Sequence, residues 1–215
     1  NYSDVTSEGG YYDTEAGLNA VVNACYTPLR FWAGKEDAIG LSETGTDIIA
    51  AGSGCVDNNM AAYTQSLDGT NSACTFYFDR FYAAINWCNT AIVHAQTVPN
   101  PSNDEILATT LNKREAEARV LRTFYYWILT ETFGDTYYTD QPSTSIVMNP
   151  VKTSTDNIYQ YMFDDLDWAI KSKLSTLQND GGRVTIWTAK ALKARLLLTR
   201  ASEKNDVDMY GQAYD

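Results

Sequence analysis

Histidine occurs once in these 215 residues, at His94, and none of the four cysteines (Cys25, Cys55, Cys74, Cys88) forms a Cys-x-x-Cys pair. Structural zinc sites are assembled from closely spaced Cys and His, so no metal centre is expected. Cations are scarce as well: 16 Lys and Arg stand against 27 Asp and Glu, a net charge of −11. Nucleic-acid binding needs a basic surface to neutralise phosphates, and electrostatic docking onto an anionic membrane needs the same. Both are disfavoured. No apolar run is long enough to span a bilayer. Asn1 to Gly10 lacks the basic-then-apolar pattern of a signal peptide, which leaves two readings open: an intracellular protein or an already processed export product. Gly-x-Ser-x-Gly and phosphate-loop patterns are missing too, and with them the usual signatures of a serine hydrolase or a nucleotide binder.

What is plentiful is aromatic surface. Fifteen tyrosines and five tryptophans supply amphipathic rings that fill cores and stack on planar or sugar faces. Hydrophobic residues at 44 % and charged residues at 20 % are ordinary for a globular chain, and the length admits one or two domains with a sizeable core.

Helical periodicity organises most of the chain. Leu18, Val21, Val22, Cys25 and Leu29 share one face of a first helix opened by Thr14 as N-cap, with Pro28 near its end. A long irregular stretch, 33–75, follows, rich in Gly, Ser, Asn, Asp and Thr. Loops of that length inside a compact domain are usually functional or disordered, and this one is read as functional. A second helix spans Phe76 to Gln96, with Phe78, Phe81, Tyr82, Ile85, Cys88, Asn89 and Ile92 three or four apart, and Pro99 and Pro101 end it. The third runs from Asn103 or Asp104 to Phe133 and is apolar on two stripes, so it must be covered on two sides. One stripe is Leu111, Ala118, Leu121, Tyr125, Ile128 and Thr132; the other is Val120, Phe124, Trp127 and Glu131. Gly134 follows, where a left-handed position favours glycine.

After a loop at 137–155, a fourth helix starts at Asp156, capped by Thr153 or Thr155, with Ile158, Met162, Leu166, Ala169 and Leu174 on its face. A fifth starts near Thr185. Its stripes are Ala189, Leu192, Leu196 and Thr199, and Ala191, Ala194, Leu198 and Ala201. A sixth begins at Asp208, close to the last residue, which suggests a fragment. The expected fold is all-α: a tetratricopeptide-like stack of antiparallel helix pairs with long irregular loops, although no clean 34-residue repeat is visible. Residues 1–215 are read as a single helical domain.

Cys25 and Cys88 fall within helical patterns among small and apolar residues, where a buried free thiol is expected. Cys55 and Cys74 flank a polar segment and would clip it in an oxidising compartment. An even count alone does not fix connectivity.

Catalytic arrangements are thin. Asp164 and Asp165 sit mid-helix about 100° apart, which does not make an acid/base pair. His94 near a helix C-terminus reads as a surface residue favoured by the helix dipole. Asp68-Gly69-Thr70-Asn71 lacks the alternating ligands and terminal glutamate of a calcium loop and reads as a turn. Glu115 and Arg119 form an i,i+4 pair of favourable order, and Arg119 and Arg122 are placed to pin neighbouring loops. No cofactor is expected. A binding role fits better, because sugars are held by aromatic faces with amide and carboxylate hydrogen bonds. Asp57, Asn58, Asn59 and Tyr63 on the irregular stretch offer that set and are the candidate ligand-binding residues. The plainer alternative is a solvated loop with Tyr63 packed inward.

Five segments in order also resemble the SusD/RagB family of surface lipoproteins. Leu18-Asn19-Ala20 with Ala24-Cys25-Tyr26 matches the family's opening helix, and Leu41 to Asp47 its Thr-Asp element. Tyr82 to Asn89 matches its next helix. Ala116-Glu117-Ala118-Arg119-Val120-Leu121-Arg122 through Phe133-Gly134-Asp135 is the most specific match. Asn157-Ile158-Tyr159 with Asp165-Leu166, and Gly182-Arg183 with Ala191-Leu192, follow the two later helices. Thr136-Tyr137-Tyr138 departs from the family's usual Val-Pro, and Lys152 from its usual arginine. The resemblance covers the N-terminal part of that fold. It implies a non-enzymatic receptor, lipid-anchored upstream of Asn1 on the outer face of an outer membrane. Such a receptor takes an oligosaccharide, or a peptide in RagB-like members, and passes it to a SusC-like TonB-dependent transporter. A helical-repeat adaptor whose ligand is another protein, and an α-helical glycan hydrolase, are the competing classes.

Overall fold

The computed structural model describes residues 13–32, 36–52, 61–65, 67–172, 174 and 181–214. Eight helices are assigned among them: α1 Glu15–Tyr26, α2 Leu29–Trp32, α3 Glu36–Ser42, α4 Ser72–Thr97, α5 Glu105–Phe133, α6 Thr155–Lys171, α7 Ile186–Lys204 and α8 Val207–Tyr214. Two short strands, β1 Thr136–Tyr137 and β2 Lys152–Thr153, pair antiparallel with Thr136 opposite Thr153. The chain divides into two compact units. The smaller is residues 26–84; the larger joins the residues up to 25 with those from 85 onward.

In the larger unit, α1 buries Leu18, Val21, Val22 and Cys25, the face that the i, i+3, i+4, i+7 spacing marks. Thr14 caps the helix, its Oγ1 accepting from the Gly17 amide at 3.0 Å. The helix ends at Tyr26, so Leu29 falls in the separate turn α2. Pro28 has no amide to continue the ladder, and its carbonyl instead accepts from the Phe31 amide.

Asp104 caps α5, accepting from the amides of Ile106 (2.8 Å) and Leu107 (3.3 Å). Between Glu115 and Thr130 this helix is buried nearly all round, and only Arg119, Phe124 and Trp127 are partly exposed. Two stripes understate it. Thr132 and Glu131, at the stripe ends, face solvent. The second half of α4 lies antiparallel to α5, since Gln96 reaches Glu115 while Asn89 meets Arg122. α6 runs back along α5, and α7 returns along α6 through Lys193 with Asp167 and Arg200 with Asp156. The larger unit is thus a run of antiparallel helical hairpins, the tetratricopeptide-like stack. Its core is Leu18, Val22, Ile85, Tyr125, Leu129, Ile158, Met162, Leu166 and Leu196, each contributing roughly 1.5–3 kcal/mol of apolar burial.

Helix starts are set by local chemistry that periodicity does not report. α4 begins at Ser72, four residues before Phe76, because Asn71 Oδ1 accepts from the amides of Ala73 (2.9 Å) and Cys74 (3.4 Å). α6 is capped by Ser154, whose Oγ accepts from the Asn157 amide; the threonines on either side do not serve. α7 carries a capping box between Thr185 and Thr188. On α7 the second alanine-rich stripe is largely solvent-facing, with Ala191 and Leu198 exposed. Leu197 and Arg200 are buried in their place.

Candidate functional site

The larger unit holds a connected set of buried charges. Arg122 donates from Nε to Asp165 Oδ2 and from Nη2 to Asp165 Oδ1, both at 2.8 Å, and from Nη1 to Asn89 Oδ1 at 2.8 Å. Asn89 Nδ2 in turn donates to the carbonyls of Thr139 and Gln141, each at 3.1 Å. Arg119 bonds Glu115 Oε1 at 2.7 Å and Asp165 Oδ1 at 2.6 Å. Burial alone would push Arg122 down, but the neighbouring Asp165 carboxylate outweighs it and holds the guanidinium above its ordinary value.

Both arginines therefore bind helices directly, and Arg122 reaches the 139–141 loop only through Asn89. A second cluster joins Arg114 and Arg183 to Glu117, at 2.5 and 2.6 Å, with Asn19 and Asn23 on α1 as further acceptors. These carboxylates are consumed by fixed cations. Asp165 accepts from both Arg119 and Arg122, and Asp164 accepts from Gln160 on the exposed face. His94 is drawn inward: its Nδ1 lies 3.0 Å from Asp13 Oδ1, joining α4 to the start of α1.

The loop between the two strands is held at its base and apolar at its tip. Ser143 donates its amide to Asn86 Oδ1 at 2.7 Å, and Thr155 donates amide and hydroxyl to Asp135. Those bonds hold the Asp135 carboxyl below its ordinary value. Beyond them Ile146 is 86 % and Met148 81 % exposed, with Val147 and Val151 also outward. Under the loop, Tyr138 stacks on Tyr161 with centroids 4.3 Å apart, and burial pushes the Tyr138 phenol up to about 12.

A groove of about 470 Å³ lies between α6, α7 and α8, lined by Tyr159, Phe163, Gln160, Met209 and Gln212 among others. Its cations are already engaged. Arg200 pairs with Asp156 and Glu203 and lies 4.6 Å over the Tyr159 ring, and Lys204 pairs with Asp156.

In the smaller unit, rings gather about α2 and the first half of α4. Arg80 lies between the faces of Phe31 (4.8 Å) and Phe76 (5.0 Å), and Tyr77 stacks on Phe81. Phe78, expected on the buried face, is 39 % exposed and pairs with Tyr82 at 4.6 Å one turn on. Asp68 closes a turn, accepting the amide (2.8 Å) and hydroxyl (2.7 Å) of Thr70, and these bonds lower its carboxyl. Of the four candidate residues, Asp57, Asn58 and Asn59 lie outside the described residues. Tyr63 is described: it is 72 % exposed and adopts a left-handed backbone, φ 49°. The ring is turned outward, on a conformation unfavourable to bulky residues, and is not packed inward. Periodicity marked Phe78 and Tyr82 correctly as neighbours, but it does not tell a core ring from a surface one.

Among the described residues no helix is long and apolar enough to cross a membrane, and no group of acidic, His and Cys side chains could hold a metal ion.

Comparison with known proteins places these features. Residues 47–208 match a SusD-like family model described as starch-binding and associating with the outer membrane. A SusD-like protein of Bacteroides ovatus is 26 % identical over 210 residues, which are 95 % of this chain and 35 % of that protein. The chain thus spans about a third of that relative's length. A solved SusD superfamily protein from Parabacteroides distasonis has a TM-score of 0.75 at 22 % identity, covering 91 % of this chain and 42 % of that one. A laminarin-binding SusD-like protein has a TM-score of 0.67 at 22 % identity, covering 89 % and 41 %. With three quarters of its residues inside one family match and the helical stack shared, the chain belongs to the SusD-like family.

Proposed function

We propose that the protein is a non-enzymatic receptor that captures oligosaccharides on the outer face of the outer membrane and hands them to a SusC-like TonB-dependent transporter. The observation that carries this reading is the match of residues 47–208 to a family described as starch-binding and outer-membrane-associating. Three local features support it. Tyr63 offers an exposed ring four to six residues along the chain from Asp57, Asn58 and Asn59, residue types that together supply the aromatic face and hydrogen-bonding groups sugars require. The carboxylates best placed to do chemistry, Asp165, Glu115 and Glu117, are tied to arginines, which favours binding over hydrolysis. The aliphatic tip Ile146, Val147, Met148 and Val151 carries no charge and suits contact with an apolar protein surface, the role the transporter fills here.

Titration calorimetry of the complete protein against laminarin-, xyloglucan- and starch-derived oligosaccharides tests the reading. Binding without product release is expected. Release of shortened sugars, abolished by one carboxylate substitution, would overturn it in favour of a hydrolase. Binding of peptides alone would move the protein to the RagB-like class.

A further inference from the structure

On α6, Asn157, Tyr161, Asp164 and Trp168 are spaced four, three and four residues apart and so share one stripe of the helix. This is not the buried stripe of Ile158, Met162, Leu166 and Ala169. Asn157 and Asp164 are exposed, Tyr161 is 39 % exposed and Trp168 is half-buried. Both rings are nonetheless fixed from behind. Tyr138 stacks on Tyr161 with centroids 4.3 Å apart and is itself held 5.0 Å from Tyr126. The Tyr126 hydroxyl donates to the Thr139 carbonyl and accepts the Thr139 amide. Arg119, tied to Glu115 and Asp165, lies 4.6 Å over the Trp168 ring. Rings braced in this way have little rotamer freedom left to lose when a ligand stacks on the surface they keep exposed.

Their spacing narrows the ligand. Seven residues are two helical turns, about 10.5 Å along the axis. In an extended β-1,4-linked glycan successive units turn over, so the same sugar face recurs every second unit, a repeat that matches the two-turn step. A coiled α-1,4-linked chain bends away from a straight helix. Between the rings, Asp164 takes the Gln160 amide on one carboxylate oxygen at 2.9 Å, and on this exposed residue the other oxygen faces solvent, where a sugar hydroxyl can donate to it. We propose that this face of α6 is a stacking platform for an extended β-1,4-linked glycan. Tyr161 lies under one sugar unit and Trp168 under the next but one, with Asp164 bonding hydroxyls between them. The ligand class rests on the oligosaccharide reading above; the spacing and bracing of the rings do not.

Titration calorimetry of the complete protein tests this with β-1,4-linked glucose oligomers of two to six units and their α-1,4-linked counterparts. Affinity for the β series should step up between two units and three, the shortest chain that reaches both rings. The α series should show no such step. Tyr161→Ala and Trp168→Ala should each weaken binding of the β-linked tetramer roughly 3- to 10-fold and remove the step, while Tyr161→Phe and Trp168→Phe keep it. Hydroxyl-radical footprinting needs no substitution, so a poorly folding variant does not obscure the result: the β-linked tetramer should protect Tyr161 and Trp168 together. Glycan binding that ignores both alanine variants and protects neither ring overturns the platform and leaves the receptor reading standing. Equal protection by the α-linked tetramer overturns the extended-chain assignment. Failure to bind any oligosaccharide, in these series or among those named above, overturns both readings.

Discussion

Arg122 grips Asp165 side-on, through Nε and Nη2 at 2.8 Å each, and the same guanidinium holds Asn89 with its remaining amino group. One side chain of α5 thereby fixes α6 on one side and α4 on the other. Removing one partner of a buried ion pair leaves the other charged and unsolvated, at a cost of about 3–5 kcal/mol. Asp165→Ala should lower unfolding stability by that amount in denaturant titration. Arg122→Met/Asp165→Leu, which removes both charges, should recover most of it. Equal destabilisation by the single and double variants would show that shape, not charge, matters here.

Asp135 gives the fold an acid-sensitive joint. Its carboxylate accepts the amide and hydroxyl of Thr155 at 2.8 and 3.0 Å, so its folded value lies below the unfolded 3.8. A depressed carboxyl adds stability that is present above the unfolded value and disappears as pH falls through the folded one. Wild type should therefore exceed Asp135→Asn in stability at neutral pH, and the gap should close below about pH 4. Thermal midpoints from pH 7 to pH 2.5 measure this, and a gap that widens in acid would contradict it.

The helices were legible because burial follows period. Leu18, Val22, Ile158 and Leu166 are all where spacing puts them. Boundaries were less so, since Asn71 and Ser154 extend or start helices through single side-chain hydrogen bonds that leave no periodic trace. Charged partners were invisible for a related reason. Arg122 and Asp165 are 43 residues apart, and only the packed hairpins bring them together. The candidate site rests on chain chemistry alone, an aromatic a few residues from amides and a carboxylate, and of its four residues only Tyr63 is described. Tyr63's outward turn depends on a left-handed backbone that tyrosine does not announce.

Gly134 ends α5 at φ 69°, ψ −136°, with open space where a Cβ would stand. Any cost of Gly134→Ala is therefore backbone strain alone, about 1–3 kcal/mol. A denaturant midpoint shift of that size is expected. An unchanged midpoint would mean that the turn into β1 readily adopts another conformation.

Met148 is 81 % exposed at the tip of a loop stapled by Asn86 and Asn89. A charge there should leave the fold within about 0.5 kcal/mol of wild type, because the tip packs little against the chain. If the proposed transporter contact is real and this tip enters an apolar surface, Met148→Asp should nonetheless weaken co-purification with that transporter. Retained co-purification would remove the loop from the contact.

Substitution at Tyr63 tests the proposed binding role apart from folding. With 72 % of its surface exposed, its ring contributes little to the core, so Tyr63→Ala should leave the thermal midpoint nearly unchanged. A sugar face resting on that ring gains about 0.5–1.5 kcal/mol, and its loss should weaken oligosaccharide affinity roughly 3- to 10-fold. Tyr63→Phe keeps the face and loses only the hydroxyl, so it should retain most of the affinity. Calorimetry on the three proteins distinguishes the outcomes. Equal affinity in all three would place the cargo elsewhere on the receptor. Equal loss in Phe and Ala would assign the contact to the hydroxyl and not to stacking.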